Sequence, residues 1–139
     1  MEYKEFLVTL GVSDLKNSIR FYVNALQLEK IKYESEDVAF FDIGGGAHLA
    51  LYPRTELAKD ALTSPDGEGF EGITLALNVG SSSEVTEILN KAVSAGGTLV
   101  KPGQAVSWGG FSGYFADIDG HLWEIACGSE DYKKELKIS

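Results

Sequence analysis

The stretch Gly113-Tyr114-Phe115-Ala116-Asp117-Ile118-Asp119-Gly120-His121-Leu122-Trp123-Glu124-Ile125-Ala126 decides how this chain is read. It has the pattern of strand, tight turn, strand. Asp119-Gly120 is the hairpin signal, because glycine accepts the positive φ that a two-residue turn needs. After the turn, alternation places Leu122, Glu124 and Ala126 on one face and Trp123 and Ile125 on the other. Glu124 is thus a lone carboxylate in an apolar strand. It either sits on a solvated sheet face or points into a pocket as acid/base, metal ligand or polar anchor.

Outward from this hairpin the chain repeats itself. Phe6 to Val12 predicts a strand, and Ser13 or Asp14 offers a helix N-cap. Leu15, Ile19, Tyr22, Val23 and Leu26 then form the apolar stripe of an amphipathic helix. Strands are expected at Lys30 to Glu34, Val38 to Ile43 and Ala47 to Tyr52, with Gly44-Gly45-Gly46 as a hairpin turn. These glycines lack the Lys-Ser/Thr and the following helix of a phosphate loop. Arg54 to Phe70 is polar, with a short helix near Leu57 to Leu62, and reads as a linker. The pattern then restarts. Gly72 to Val79 predicts a strand and Ser81 to Ser83 a cap. Val85, Ile88, Leu89 and Ala92 mark a second helix, which Gly96-Gly97 ends. Strands follow at Thr98 to Lys101, Gly113 to Asp117 and His121 to Cys127. The expected fold is α+β, two tandem βαβββ modules in one domain over residues 1–139. Module one covers about 5–53, the linker 54–70 and module two 71–127, before a charged tail at 128–139 that has room for a short exposed helix. Pro102 to Ser112 is expected as a loop, with Trp108 and Phe111 forming either a pocket rim or an aromatic plug.

Bulk properties narrow the function classes. A chain of 139 residues that is 44% hydrophobic can bury a real core. The net charge of −9, with no Lys/Arg cluster long enough to track phosphates, argues against nucleic-acid and membrane partners. No apolar run is long enough to span a bilayer, and the N-terminus lacks the regions of a signal peptide. A cytoplasmic location is the default. One cysteine, Cys127, excludes an intrachain disulfide framework and reads as a buried thiol near a strand end.

Three stretches resemble the vicinal oxygen chelate superfamily, which includes glyoxalases, bleomycin-resistance proteins and extradiol dioxygenases. They are Val12-Ser13-Asp14-Leu15 with Ser18-Ile19, Phe21-Tyr22 and Leu26; Leu49-Ala50-Leu51-Tyr52-Pro53-Arg54; and Trp108-Gly109-Gly110 through Gly113 to Asp117 and on to Glu124. The resemblance implies that the modules curl into a barrel-like mixed sheet around a cleft, and that the protein is a homodimer. It places the metal-ligand positions of catalytic relatives at Leu7, Thr74, Glu124 and either Ala50 or His48. Leu7 and Ala50 cannot bind a metal and Thr74 is a poor ligand, so no cofactor is expected. If a divalent metal does bind, Glu124 and His48 are its candidate ligands. Otherwise His48 reads as a hydrogen-bonded strand histidine, and His121 as an exposed residue beside the turn.

The cleft wall implied by the resemblance carries Leu7, Thr9, His48, Ala50, Thr74, Ala76, Asn78, Leu122 and Glu124, with Trp108 and Phe111 beside it. A mostly apolar wall with a few polar groups suits a small molecule. The leading expectation is a metal-independent small-molecule-binding protein. The alternative is a lyase or isomerase, or a dioxygenase-like enzyme, with Glu124 as catalytic base or as ligand of a weakly held metal.

Overall fold

The structure, a computed structural model, describes residues 1–31, 37–107 and 109–128. Trp108, residues 32–36 and most of the charged tail lie outside it. The chain falls into two compact units that meet in sequence between Glu71 and Gly72.

The first unit contains β1 (Phe6–Val12), α1 (Leu15–Leu26), β2 (Ala39–Gly44), β3 (Ala47–Pro53) and α2 (Arg54–Asp60). Asp14 is the N-cap of α1, its Oδ1 accepting from the Asn17 N–H at 3.0 Å. The buried stripe of α1 is Ser18, Phe21, Tyr22 and Ala25, while Val23 is exposed. This differs from the expected stripe of larger residues. The i, i+3, i+4, i+7 spacing is kept, but small Ser18 and Ala25 occupy the contact line and let the helix approach the sheet. The sheet order is β1-β3-β2, with β1 parallel and β2 antiparallel to β3. Its helix-backed face carries Val12, Phe41, Leu49 and Leu51, all essentially buried. Gly45 and Gly46 both have positive φ, 61° and 80°, as the two central residues of the β2–β3 turn must in a type I′ hairpin. Of the strand expected at Lys30 to Glu34, the described part is one bridge, Lys30 to Phe41; the rest lies outside the described residues.

The segment read as a linker is partly built into this unit. Arg54 Nε donates to the Pro65 carbonyl at 2.7 Å, and its guanidinium lies 3.4 Å from Glu71.

The second unit repeats the plan with β4 (Leu75–Asn78), α3 (Ser82–Ser94), β5 (Thr98–Ala105), β6 (Phe111–Ala116) and β7 (Leu122–Cys127). The order is β4-β7-β6-β5, with β4 parallel to β7 and the other neighbours antiparallel. Thus β4, β7 and β6 match β1, β3 and β2, and β5 lies where the first unit has its Lys30 bridge. Ser81 caps α3 by accepting from the Glu84 N–H, and Glu84 accepts from Gly80 N–H at 2.8 Å. Val85, Leu89 and Ala92 are buried on α3. The sheet face they back holds Phe115, Trp123 and Ile125, all buried. Together the units form a mixed α+β fold with sheets of three and four strands, and neither sheet is a closed barrel.

Among the boundaries that differ from the sequence reading are those of β5 and of the β6–β7 turn. Strand β5 runs on through Pro102 and Gly103 to Ala105, so of the expected loop the described residues outside a strand are Val106, Ser107, Gly109 and Gly110. An edge strand tolerates proline, and two register shifts absorb the irregularity. The β6–β7 turn is also longer than two residues. The Asp117 N–H donates to the His121 carbonyl, which leaves Ile118, Asp119 and Gly120 as the loop. Buried Asp117 stabilises it, its Oδ1 accepting from the N–H groups of Asp119 and His121 at 2.9 and 2.8 Å. Gly120 closes it with φ 89°, the left-handed position of a three-residue hairpin.

Candidate binding face around Glu124

Strand β7 presents Glu124 on the face turned away from α3, because its neighbours Trp123 and Ile125 fill the helix-backed core. The register sets Ala76 of β4 on one side of Glu124 and Tyr114 of β6 on the other. Lys101 of β5 pairs with Tyr114 and completes the row. Asn78, Ala126 and Ser112 form the next row on this face. Ser112 is buried, whereas Glu124 and Tyr114 are partly buried. Among the described residues, neither the Glu124 carboxylate nor the Tyr114 hydroxyl has a hydrogen-bond or ion-pair partner. Burial raises the Tyr114 phenol above its usual range, and the negative charge of Glu124 raises it further. We expect Glu124→Gln to lower the Tyr114 titration midpoint toward the ordinary phenol value, as read by ultraviolet difference spectroscopy. An unchanged midpoint would separate the two groups. In wild type the unfolded phenol loses its proton first, so this stabilisation is complete below the ordinary phenol pKa and is lost as pH rises through the raised one.

The other expected wall residues are distributed as follows. Ala76 and Leu122 share the face of Glu124. Thr74 does not lie in β4, since pairing stops at Leu75–Trp123, and it is exposed. Phe111 pairs with Cys127 and alternates with Gly113 and Phe115, which places it on the helix-backed face. Its ring lies against Gly103, where a Cβ would come within 2.6 Å of it. It is therefore not part of the Glu124 face. Trp108 lies outside the described residues. In the first unit, Leu7 pairs with His48 and Thr9 with Ala50, so all four share the face turned away from α1. Leu7 is exposed and Ala50 buried. His48 Nδ1 lies 2.6 Å from Glu5 Oε2, close enough for an ion pair but not aligned as a hydrogen bond. Tyr114, absent from the expected wall, is the residue that sequence reasoning missed.

A family model for the glyoxalase/bleomycin resistance protein/dioxygenase superfamily matches residues 6–125. The chain belongs to this superfamily. Solved structures of the same fold include a glyoxalase-related enzyme from Fulvimarina pelagi, 33% identical over 88% of this chain and 86% of its own, with a TM-score of 0.80. A hypothetical protein from S. aureus is 27% identical, covering 91% of this chain and 94% of its own, with a TM-score of 0.79. A lactoylglutathione lyase from Agrobacterium tumefaciens shares the fold at 18% identity and a TM-score of 0.65, over 88% of this chain and 92% of its own. No curated protein matches the chain.

The positions to which the superfamily resemblance assigns a divalent metal carry few donor atoms in this chain. Leu7 and Ala50 offer no side-chain donor atom, and Thr74 offers one neutral hydroxyl outside β4. The Nδ1 of His48 already faces Glu5. Among the described residues no three His, Cys, Asp or Glu side chains gather as a metal site. Nor is any described helix long and apolar enough to cross a membrane.

Proposed function

We propose that this superfamily member binds a small organic ligand without a metal, using the Glu124 face of its second sheet. The observation that carries the reading is the Glu124 carboxylate, partly buried in an apolar strand with no protein partner among the described residues. A carboxylate so placed gains most from a donor supplied by a ligand. Ala76, Leu122 and Ala126 give the apolar surroundings that such sites usually have.

Protein purified without chelator is expected to carry divalent metal well below one per chain by elemental analysis. Stoichiometric zinc, nickel, manganese or iron that Glu124→Gln releases would overturn the metal-free reading. For any compound that raises the melting midpoint of the wild type, Glu124→Gln should weaken binding by roughly tenfold or more, the worth of a hydrogen bond to a charged group. An enzyme using Glu124 as base would behave differently, losing turnover while keeping its affinity for substrate.

A further inference from the structure

Tyr114 adds chemistry to this face that Glu124 alone does not have. The two residues are directly opposed on antiparallel strands, which sets their Cβ atoms about 5 Å apart. One is a carboxyl group that can accept and the other a phenol hydroxyl that can donate. Neither finds a partner among the described residues. A ligand bearing only a cation would satisfy Glu124 and leave the phenol unmatched. It would also share its row with the ammonium of Lys101, beside Tyr114 on β5. A neutral ligand that donates to one group and accepts from the other satisfies both and avoids that repulsion.

Building on the binding role proposed for Glu124, we infer that Tyr114 and Glu124 form a recognition pair for a ligand edge with an N–H donor and a carbonyl acceptor on neighbouring atoms. Lactams and primary amides have such an edge. The carboxylate accepts from the N–H, and the phenol donates to the carbonyl. Tyr114 is then the residue that determines specificity, because it distinguishes this edge from a plain amine or amidine.

The test is a nuclear magnetic resonance titration of the nitrogen-15-labelled full chain with three probes at millimolar concentration. They are 2-pyridone, N-methyl-2-pyridone and benzamidine. We expect 2-pyridone to shift the amide signals of β6 and β7 and to bind roughly tenfold tighter than its N-methyl derivative, which lacks the donor. Tyr114→Phe, which keeps the ring, should weaken 2-pyridone by about threefold to tenfold and leave benzamidine unaffected. Equal binding of 2-pyridone and its N-methyl derivative overturns the inference, as does indifference of 2-pyridone to Tyr114→Phe. Silence of β6 and β7 toward 2-pyridone overturns it too. If benzamidine alone binds there and Glu124→Gln abolishes it, the Glu124 binding role stands and the donor–acceptor pairing falls.

Discussion

Replacing Trp123 by alanine should lower the unfolding free energy by about 3–5 kcal/mol, the usual cost of truncating a large buried aromatic. Trp123 is 1% exposed, the largest fully buried side chain among the described residues, and its ring stacks on Phe115 at 6.3 Å between centroids. The loss combines the transfer term for a large apolar side chain with the cavity left behind. It also removes an aromatic pair worth about 1 kcal/mol. Domains are stable by only about 5–15 kcal/mol, so a large share of the total goes. Urea unfolding followed by circular dichroism would show it as a lower midpoint at unchanged slope. Trp123→Phe keeps a ring against Phe115 and should cost less than half as much. Equal losses for the two variants would mean that the stacking face contributes little. The effect also bears on the binding face. Trp123 and Glu124 are consecutive on β7, so the packing that holds one in the core presents the other on the opposite side of the sheet.

The duplication, the two helices and the two faces of β7 were legible in the sequence because each rests on local periodicity. Register was not, and the residue beside Glu124 depends on it. A two-residue turn at Asp119-Gly120 would have paired Glu124 with Phe115. The three-residue loop shifts the pairing by one, which sets Tyr114 beside Glu124 and sends Phe115 to the core. The signal for the longer loop was present in Asp117, a residue suited to accept from N–H groups ahead of it in a turn. Thr74 was misplaced for a similar reason. Its run of β-forming residues is real, but strand pairing ends one residue later, at Leu75. Pro102 and Gly103 read as loop because they break alternation, and the bulges that admit them into an edge strand are a tertiary property. The rim position open to Phe111 falls with that loop, since as a strand residue it is bound to the face its register dictates.

Those bulges have a requirement of their own at Gly113, and Gly113→Ala should destabilise the chain by about 2–3 kcal/mol, the upper range for overpacking a filled site. A Cβ built there would lie 2.5 Å from Leu89 Cδ1, 2.8 Å from the Lys101 carbonyl oxygen and 2.9 Å from the Gly103 nitrogen. The first contact is with the end of a side chain that can rotate away. The other two are with the backbone of β5 between its register shifts, which moves only if the bulge is rebuilt. The two causes can be separated. Leu89→Ala in the Gly113→Ala background would relieve the helix contact alone, so a double-mutant cycle should recover less than half of the Gly113→Ala loss. Full recovery would show that α3, not the bulged edge, enforces the glycine. Because Gly113 precedes Tyr114, a displaced β5 would also disturb the row that holds Lys101, Tyr114 and Glu124. Gly113→Ala is therefore expected to weaken ligand binding at Glu124 even at temperatures where the variant stays folded, whereas Trp123→Phe should not.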